Sequence, residues 1–143
     1  MSAAALAPLA WLIGEWEAEP DASGATGGSR FSLEAGGNAI LRANWADNPP
    51  MQGRPAARHD DMLVIHEEAG SLVGLYVDSE GHVIRYAVKA SDGGVVLTSQ
   101  DAPGPRFRLT YRKTGDASAS VDFEIAPPGQ DFARYVGGAI RRR

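Results

Sequence analysis

The 143-residue chain carries 14 basic and 18 acidic side chains, a formal charge of −4, with 43% apolar and 22% charged residues. This ordinary globular balance suggests neither a disordered chain nor a membrane span. It also argues against a nucleic-acid partner, which needs clustered Lys and Arg. With no cysteine there is no disulfide framework, no thiolate metal site and no Cys nucleophile, which fits a reducing compartment and makes the cytoplasm the expected location.

A chain of this length buries roughly 70% of its unfolded surface in one core, so residues 1–143 read as one domain. The apolar stretch Ala3 to Ile13 has the length of a signal core, but no Lys or Arg precedes it. Trp16 follows where small cleavage-site residues would stand, so the stretch reads as part of the fold. Leu6, Leu9, Trp11, Leu12 and Ile13 include i, i+3 and i+4 relations. They predict a short amphipathic helix with Pro8 in its first turn.

After Gly14 the pattern changes to short β-branched and aromatic runs separated by Gly, Pro, Asp and Asn. The predicted strands are Glu15 to Glu19, Ser29 to Glu34, Ala39 to Trp45, Asp61 to Glu67, Leu72 to Asp78, His82 to Lys89, Val95 to Gln100, Phe107 to Arg112, Ser120 to Ile125 and Ala133 to Arg141. Short Gly-bearing connectors such as Ser91-Asp92-Gly93-Gly94 suit tight hairpins. The expectation is therefore an all-β, roughly ten-stranded, antiparallel up-and-down barrel, because closure hides the edges of a meander. Gly24 to Gly28 reads as a flexible hairpin connection, Ala46 to Asp60 as an extended loop near an opening, and Arg141 to Arg143 as a solvated tail.

Pro8-Leu9-Ala10-Trp11-Leu12-Ile13-Gly14-Glu15-Trp16 resembles the start of nitrobindin and its bacterial calycin-like relatives, where a short helix leads into Gly-x-Trp on the first strand. Gly36-Gly37-Asn38-Ala39-Ile40-Leu41, Leu75 to Gly81 and Phe132 to Gly138 are similar to segments of uncharacterised lipocalin-like barrels. The resemblance implies a calycin-like barrel with structural roles for Gly14 and Trp16, the indole plugging one end. In nitrobindins the last strand supplies a histidine resembling an axial haem ligand, and here Tyr135 stands in its place. Tyrosinate holds ferric haem in some proteins, so haem through Tyr135 is one reading, although no cofactor is required.

Nucleophile, zinc-site and phosphate-loop signatures are missing. There is no Gly-x-Ser-x-Gly elbow and no two-His helical zinc spacing, and Gly24 to Gly28 lacks the Lys of a phosphate loop. His59-Asp60-Asp61 is the nearest approach to a metal cluster and reads as a solvated charged run, so no metal site is expected. What remains is a module that binds a small hydrophobic or planar molecule, with no membrane partner. Its contacts are drawn from Trp45, His66, Tyr76, Tyr86, Arg108, Tyr111 and Tyr135, because planar rings and a guanidinium suit such a ligand. The rival is a small isomerase- or lyase-like enzyme on the same barrel, using His66, Tyr76 or Arg108. Strand phase is ambiguous: Leu63 and Ile65 compete with Met62, Val64 and His66, and Val83, Arg85 and Ala87 compete with Ile84, Tyr86 and Val88. Apolar residues on both faces suggest an association surface for a homodimer, with Leu41, Trp45, Val73, Leu75 and Val77 as its members.

Overall fold

The computed structural model describes residues 4–143, so Ala3, the first residue of the apolar stretch, lies outside the described residues. Among them run ten strands: β1 (Gly14–Ala18), β2 (Thr26–Glu34), β3 (Ala39–Asn48), β4 (Ala57–Glu68), β5 (Ser71–Asp78), β6 (Val83–Ser91), β7 (Gly94–Ser99), β8 (Arg106–Gly115), β9 (Ser118–Ala126) and β10 (Ala133–Arg142). Each pairs antiparallel with its chain neighbour, and β1 also pairs with β10, closing the sheet into an up-and-down barrel. Closure leaves no row of unpaired backbone groups at an edge. The β4–β5 turn shows the local chemistry of such a meander: Ala69 and Gly70 have φ of 51° and 85°, the positive pair that matches hairpin twist. No helix is long and apolar enough to cross a membrane among the described residues.

The expected short opening helix is present and is a 3-10 helix over Ala4–Leu12, with Pro8 inside it. Its buried residues are Leu6, Leu9 and Leu12, and a spacing of three is the repeat of a 3-10 helix, which eclipses i and i+3. The helix leads into β1 at the barrel end that also carries the β2–β3, β4–β5, β6–β7 and β8–β9 turns. This end is the floor.

Trp16, 1% exposed, joins the leucines there. Its Nε1 donates to the Leu12 carbonyl at 2.9 Å, and its ring meets Trp11 edge-on at 6.2 Å. Arg142 lies over the same indole at 4.5 Å and donates to the carbonyls of Ile13 (2.9 Å) and Trp11. Gly14 explains this close approach. Its φ is +127°, and a Cβ there would lie 2.8 Å from Arg142 Nη1. The terminal basic run is thus no solvated tail: Arg142 ties the last strand to the opening helix, and Arg141 pairs with Glu17 at 2.9 Å.

Two further segments differ from expectation. β3 runs to Asn48 and β4 begins at Ala57, so most of the segment expected as a loop is an extended hairpin, with Met51 and Arg54 bridged near its tip. Its charged residues suggested a loop, but they pair with one another along the strands, Arg58 with Asp47 (3.4 Å) and Asp60 (3.2 Å). Likewise Gly27 and Gly28 belong to β2. Gly28 faces Trp45 across β2–β3, and a Cβ there would lie 2.7 Å from the indole, so the missing side chain makes room for the ring.

Burial resolves the strand phase. Leu63 and Ile65 on β4 and Ile84, Tyr86 and Val88 on β6 point inward, beside Phe31, Ile40, Leu97, Leu109 and Tyr111. The alternate residues, including Met62, Val77 and Val83, are exposed. In register, Leu41 lies beside Val64 and Leu75, and Ala43 beside Met62 and Val77. The outer face of β3 to β6 is therefore apolar too, and it carries Leu41, Val73, Leu75 and Val77, with Trp45 further along β3.

Candidate functional site

At mid-height the interior stops being apolar. On β3 the inward phase runs Ile40, Arg42, Asn44, and on β4 it runs His59, Asp61, Leu63, Ile65, with Asn44 directly opposite Asp61. An Arg and an Asp on the inward phases of two paired strands end up together inside: the Arg42 guanidinium contacts Asp61 Oδ1, and the side chains are 5% and 3% exposed. Asn44 donates to Asp61 Oδ2 at 2.9 Å. Burial opposes the charge on Arg42, but Tyr111 and Asp61 outweigh it and hold the guanidinium firmly protonated.

Arg42 also donates from Nη1 to the Tyr111 hydroxyl at 2.7 Å. Since β3 and β8 are five places apart in the ring of ten strands, this bond spans the lumen from wall to wall. Mouthward of this bridge lie Asn44 on β3 and Leu109 and Phe107 on β8. Arg42 Nε is buried without a partner, one open donor in a site that has otherwise satisfied its charges.

Above the bridge, β4 and β5 form a polar wall. His59 Nε2 lies 2.9 Å from Asp61 Oδ2, and Nδ1 lies 2.7 Å from Glu80 Oε2 on the β5–β6 turn. Tyr76 donates to Asp78 Oδ2 at 2.9 Å, and its hydroxyl is 3.4 Å from His59 Nε2. Asp78 Oδ1 accepts the backbone N–H groups of Glu80 (2.9 Å) and His82 (3.0 Å), while His82 Nδ1 lies 2.9 Å from Oδ2. Burial pushes the Asp78 carboxyl up, but the His82 and Glu80 amides, the His82 ring and the Tyr76 hydroxyl outweigh it and bring its pKa down to about 2. Burial and the charge of Asp61 push the Tyr76 phenol well above its ordinary value. Burial also raises Tyr86. Both tyrosines are therefore neutral hydroxyls at physiological pH.

Across the ring, β8 and β9 present the opposite wall. Phe107 and Phe123 stack at 5.9 Å with 11° between their planes, and Tyr135 meets Phe123 edge-on at 6.2 Å. Tyr135 stands at a register shift in β10 between Arg134 and Val136 and is 72% exposed.

His59 carries a testable pH dependence. Burial lowers its pKa, but the carboxylates of Asp61 and Glu80 outweigh this and raise it above the ordinary value; Asp78 and the Tyr76 hydroxyl complete its surroundings. A raised folded-state pKa stabilises the fold fully below the unfolded value, about 6.5, and the contribution is lost as pH rises through the folded value. In metal-free buffer the melting temperature of the native protein should fall relative to that of His59→Gln on going from pH 6 to pH 9. Parallel curves would show that His59 is not the group responsible.

Of the seven residues singled out from the sequence, Tyr76, Tyr86 and Tyr111 face the lumen, and Tyr135 stands at the mouth. The other three lie outside: Trp45 covers Gly28, His66 follows inward Ile65, and Arg108 forms a two-bond pair with Glu124 (2.8 and 2.9 Å) beneath Phe132. His66, Tyr76 and Arg108 therefore do not converge on one centre. Arg42, Asn44 and Asp78 were missed, and His59 and Asp61, read as part of a solvated charged run, face inward. Their signal was opposite charge at matching phase on neighbouring strands, visible once Leu63 and Ile65 are known to face in. Comparison of the chain with models of known protein families and with curated proteins finds no match.

Proposed function

We propose that the protein binds a small planar molecule in the upper half of its barrel. The carrying observation is the composition of the mouth: an aromatic wall of Phe107, Phe123 and Tyr135 faces a hydrogen-bonding wall of Asn44, His59, Asp61 and Tyr76, above the Arg42–Tyr111 bridge. Mostly apolar walls with a few convergent polar groups are the usual make-up of a small-molecule site. Ring stacking holds the planar body, and the polar wall fixes its orientation.

A titration with the planar fluorophore 8-anilinonaphthalene-1-sulfonate tests this reading. Native protein should bind it saturably at one site, Phe123→Ala should weaken binding about tenfold, the effect of about 1.4 kcal/mol, and Val83→Thr on the outer face should not. Absence of saturable binding, or equal loss in both variants, would overturn the reading.

The hydrogen-bonded series Asp61–His59–Tyr76 favours, as a second reading, an acid–base enzyme on the same barrel. For haem, the observation in favour is the access an exposed Tyr135 phenol offers beside Phe123. Haemin titration of native protein and Tyr135→Phe separates that case, since only haem held through Tyr135 gives a Soret shift that the variant lacks.

A further inference from the structure

We propose that His59, Glu80 and Asp78 form a site for one divalent transition-metal ion of the series from Mn2+ to Zn2+, at the rim of the mouth. The inference does not depend on the small-molecule reading. One ligand atom from each residue lies within 4.8 Å of the others, and His59 Nδ1 stands 2.7 Å from Glu80 Oε2. Two ligands of one ion at metal–ligand distances of about 2.0–2.2 Å stand about 3–3.5 Å apart, so the exposed Glu80 carboxylate admits the ion by moving outward less than about 1 Å.

The second imidazole nitrogen selects this arrangement. Nε2 faces Asp61 Oδ2, and Asp61 is buried, ion-paired with Arg42 and hydrogen-bonded by Asn44. An ionised carboxylate fixed in this way keeps the proton on Nε2, so that an ion displacing the Nδ1 proton meets that nitrogen's lone pair beside Glu80. That is how metal-binding histidines are oriented by an outer carboxylate. Charge points the same way. With a neutral imidazole, the carboxylates of Asp61, Asp78 and Glu80 exceed the single charge of Arg42, and a dication restores the balance. An imidazole nitrogen among the donors favours a transition ion over Mg2+ or Ca2+. Three protein ligands leave further coordination positions open, as in sites that exchange water for another molecule.

The three donors come from the start of β4, the last residue of β5 and the β5–β6 turn, held together by the turn that Asp78 itself fixes through the Glu80 and His82 amides. The ligand set is thus part of the barrel rim. Glu80 is exposed, so removing its charge leaves the core intact.

The test is calorimetric titration of tag-free, chelator-treated full-length protein with ZnCl2 and with MnCl2, followed by the visible spectrum of the Co2+ form. One ion should bind per chain. Glu80→Gln and His59→Gln should each weaken binding at least tenfold, and Glu67→Gln, an exposed carboxylate at the opposite end of β4, should bind like the native protein. The Co2+ bands should change in Glu80→Gln and persist in Glu67→Gln. Lack of binding to native protein, or affinity in Glu80→Gln equal to the native value, would overturn the proposal.

Discussion

Asp61→Ala is expected to destabilise the protein by about 3–5 kcal/mol, the usual cost of leaving one member of a buried ion pair alone. The carboxylate is 3% exposed and serves three partners at once: the Arg42 guanidinium, the Asn44 amide and His59 Nε2. Its removal leaves the guanidinium buried with Tyr111 as its remaining hydrogen-bond partner, in surroundings that hold it charged. The converse experiment distinguishes pairing from packing. Replacing both partners with apolar residues of similar volume, Arg42→Met with Asp61→Leu, should recover most of the loss, since burying two charges costs about as much as their attraction returns. Urea denaturation of the two proteins measures both effects. A loss below about 1 kcal/mol for Asp61→Ala would mean that solvent reaches the pair.

The second large effect belongs to the floor. Trp16→Ala should cost about 3–5 kcal/mol, as for other large aromatics cut from a core, because the indole is buried against Leu12, Trp11 and Arg142. Trp16→Phe keeps most of the packing and loses the bond from Nε1 to the Leu12 carbonyl, a net loss of about 0.5–1.5 kcal/mol beyond the change in ring size. Near-ultraviolet circular dichroism should lose the Trp11–Trp16 signal in both variants. If Trp16→Ala unfolds no more readily than Trp16→Phe, the ring is not the plug.

The floor was legible in the sequence because its chemistry is local. Leu6, Leu9 and Leu12 announce a helical face, and Gly14 two positions before Trp16 announces a tight entry. The barrel itself followed from ten short runs with Gly-bearing turns, and it is observed as expected, a closed ten-stranded antiparallel up-and-down barrel. The mouth was harder to read. Asp61 sits in His59-Asp60-Asp61, where a polar run suggests solvent, and only the continuation of the Leu63 and Ile65 phase turns Asp61 and His59 inward while Asp60 stays outside. Arg42 meets Tyr111 across 69 residues and the width of the barrel, a contact that no local spacing reveals. Trp45, His66 and Arg108 illustrate the opposite effect: residue types that suit a ligand stand on the outer phase, where Trp45 covers a glycine, Arg108 pairs with a neighbouring strand and His66 meets the Glu67 carbonyl of its own strand.

The outer face of β3 to β6 is the competing place for an apolar molecule, because Met62, Val77 and Val83 are exposed there beside Leu41 and Leu75. Chemical-shift mapping of the 15N-labelled protein with 8-anilinonaphthalene-1-sulfonate tells the two surfaces apart. An interior site predicts that the shifts concentrate on Asn44, His59, Tyr76, Phe107, Phe123 and Tyr135. Shifts confined to Leu41, Met62, Leu75, Val77 and Val83, with the mouth unperturbed, would contradict it.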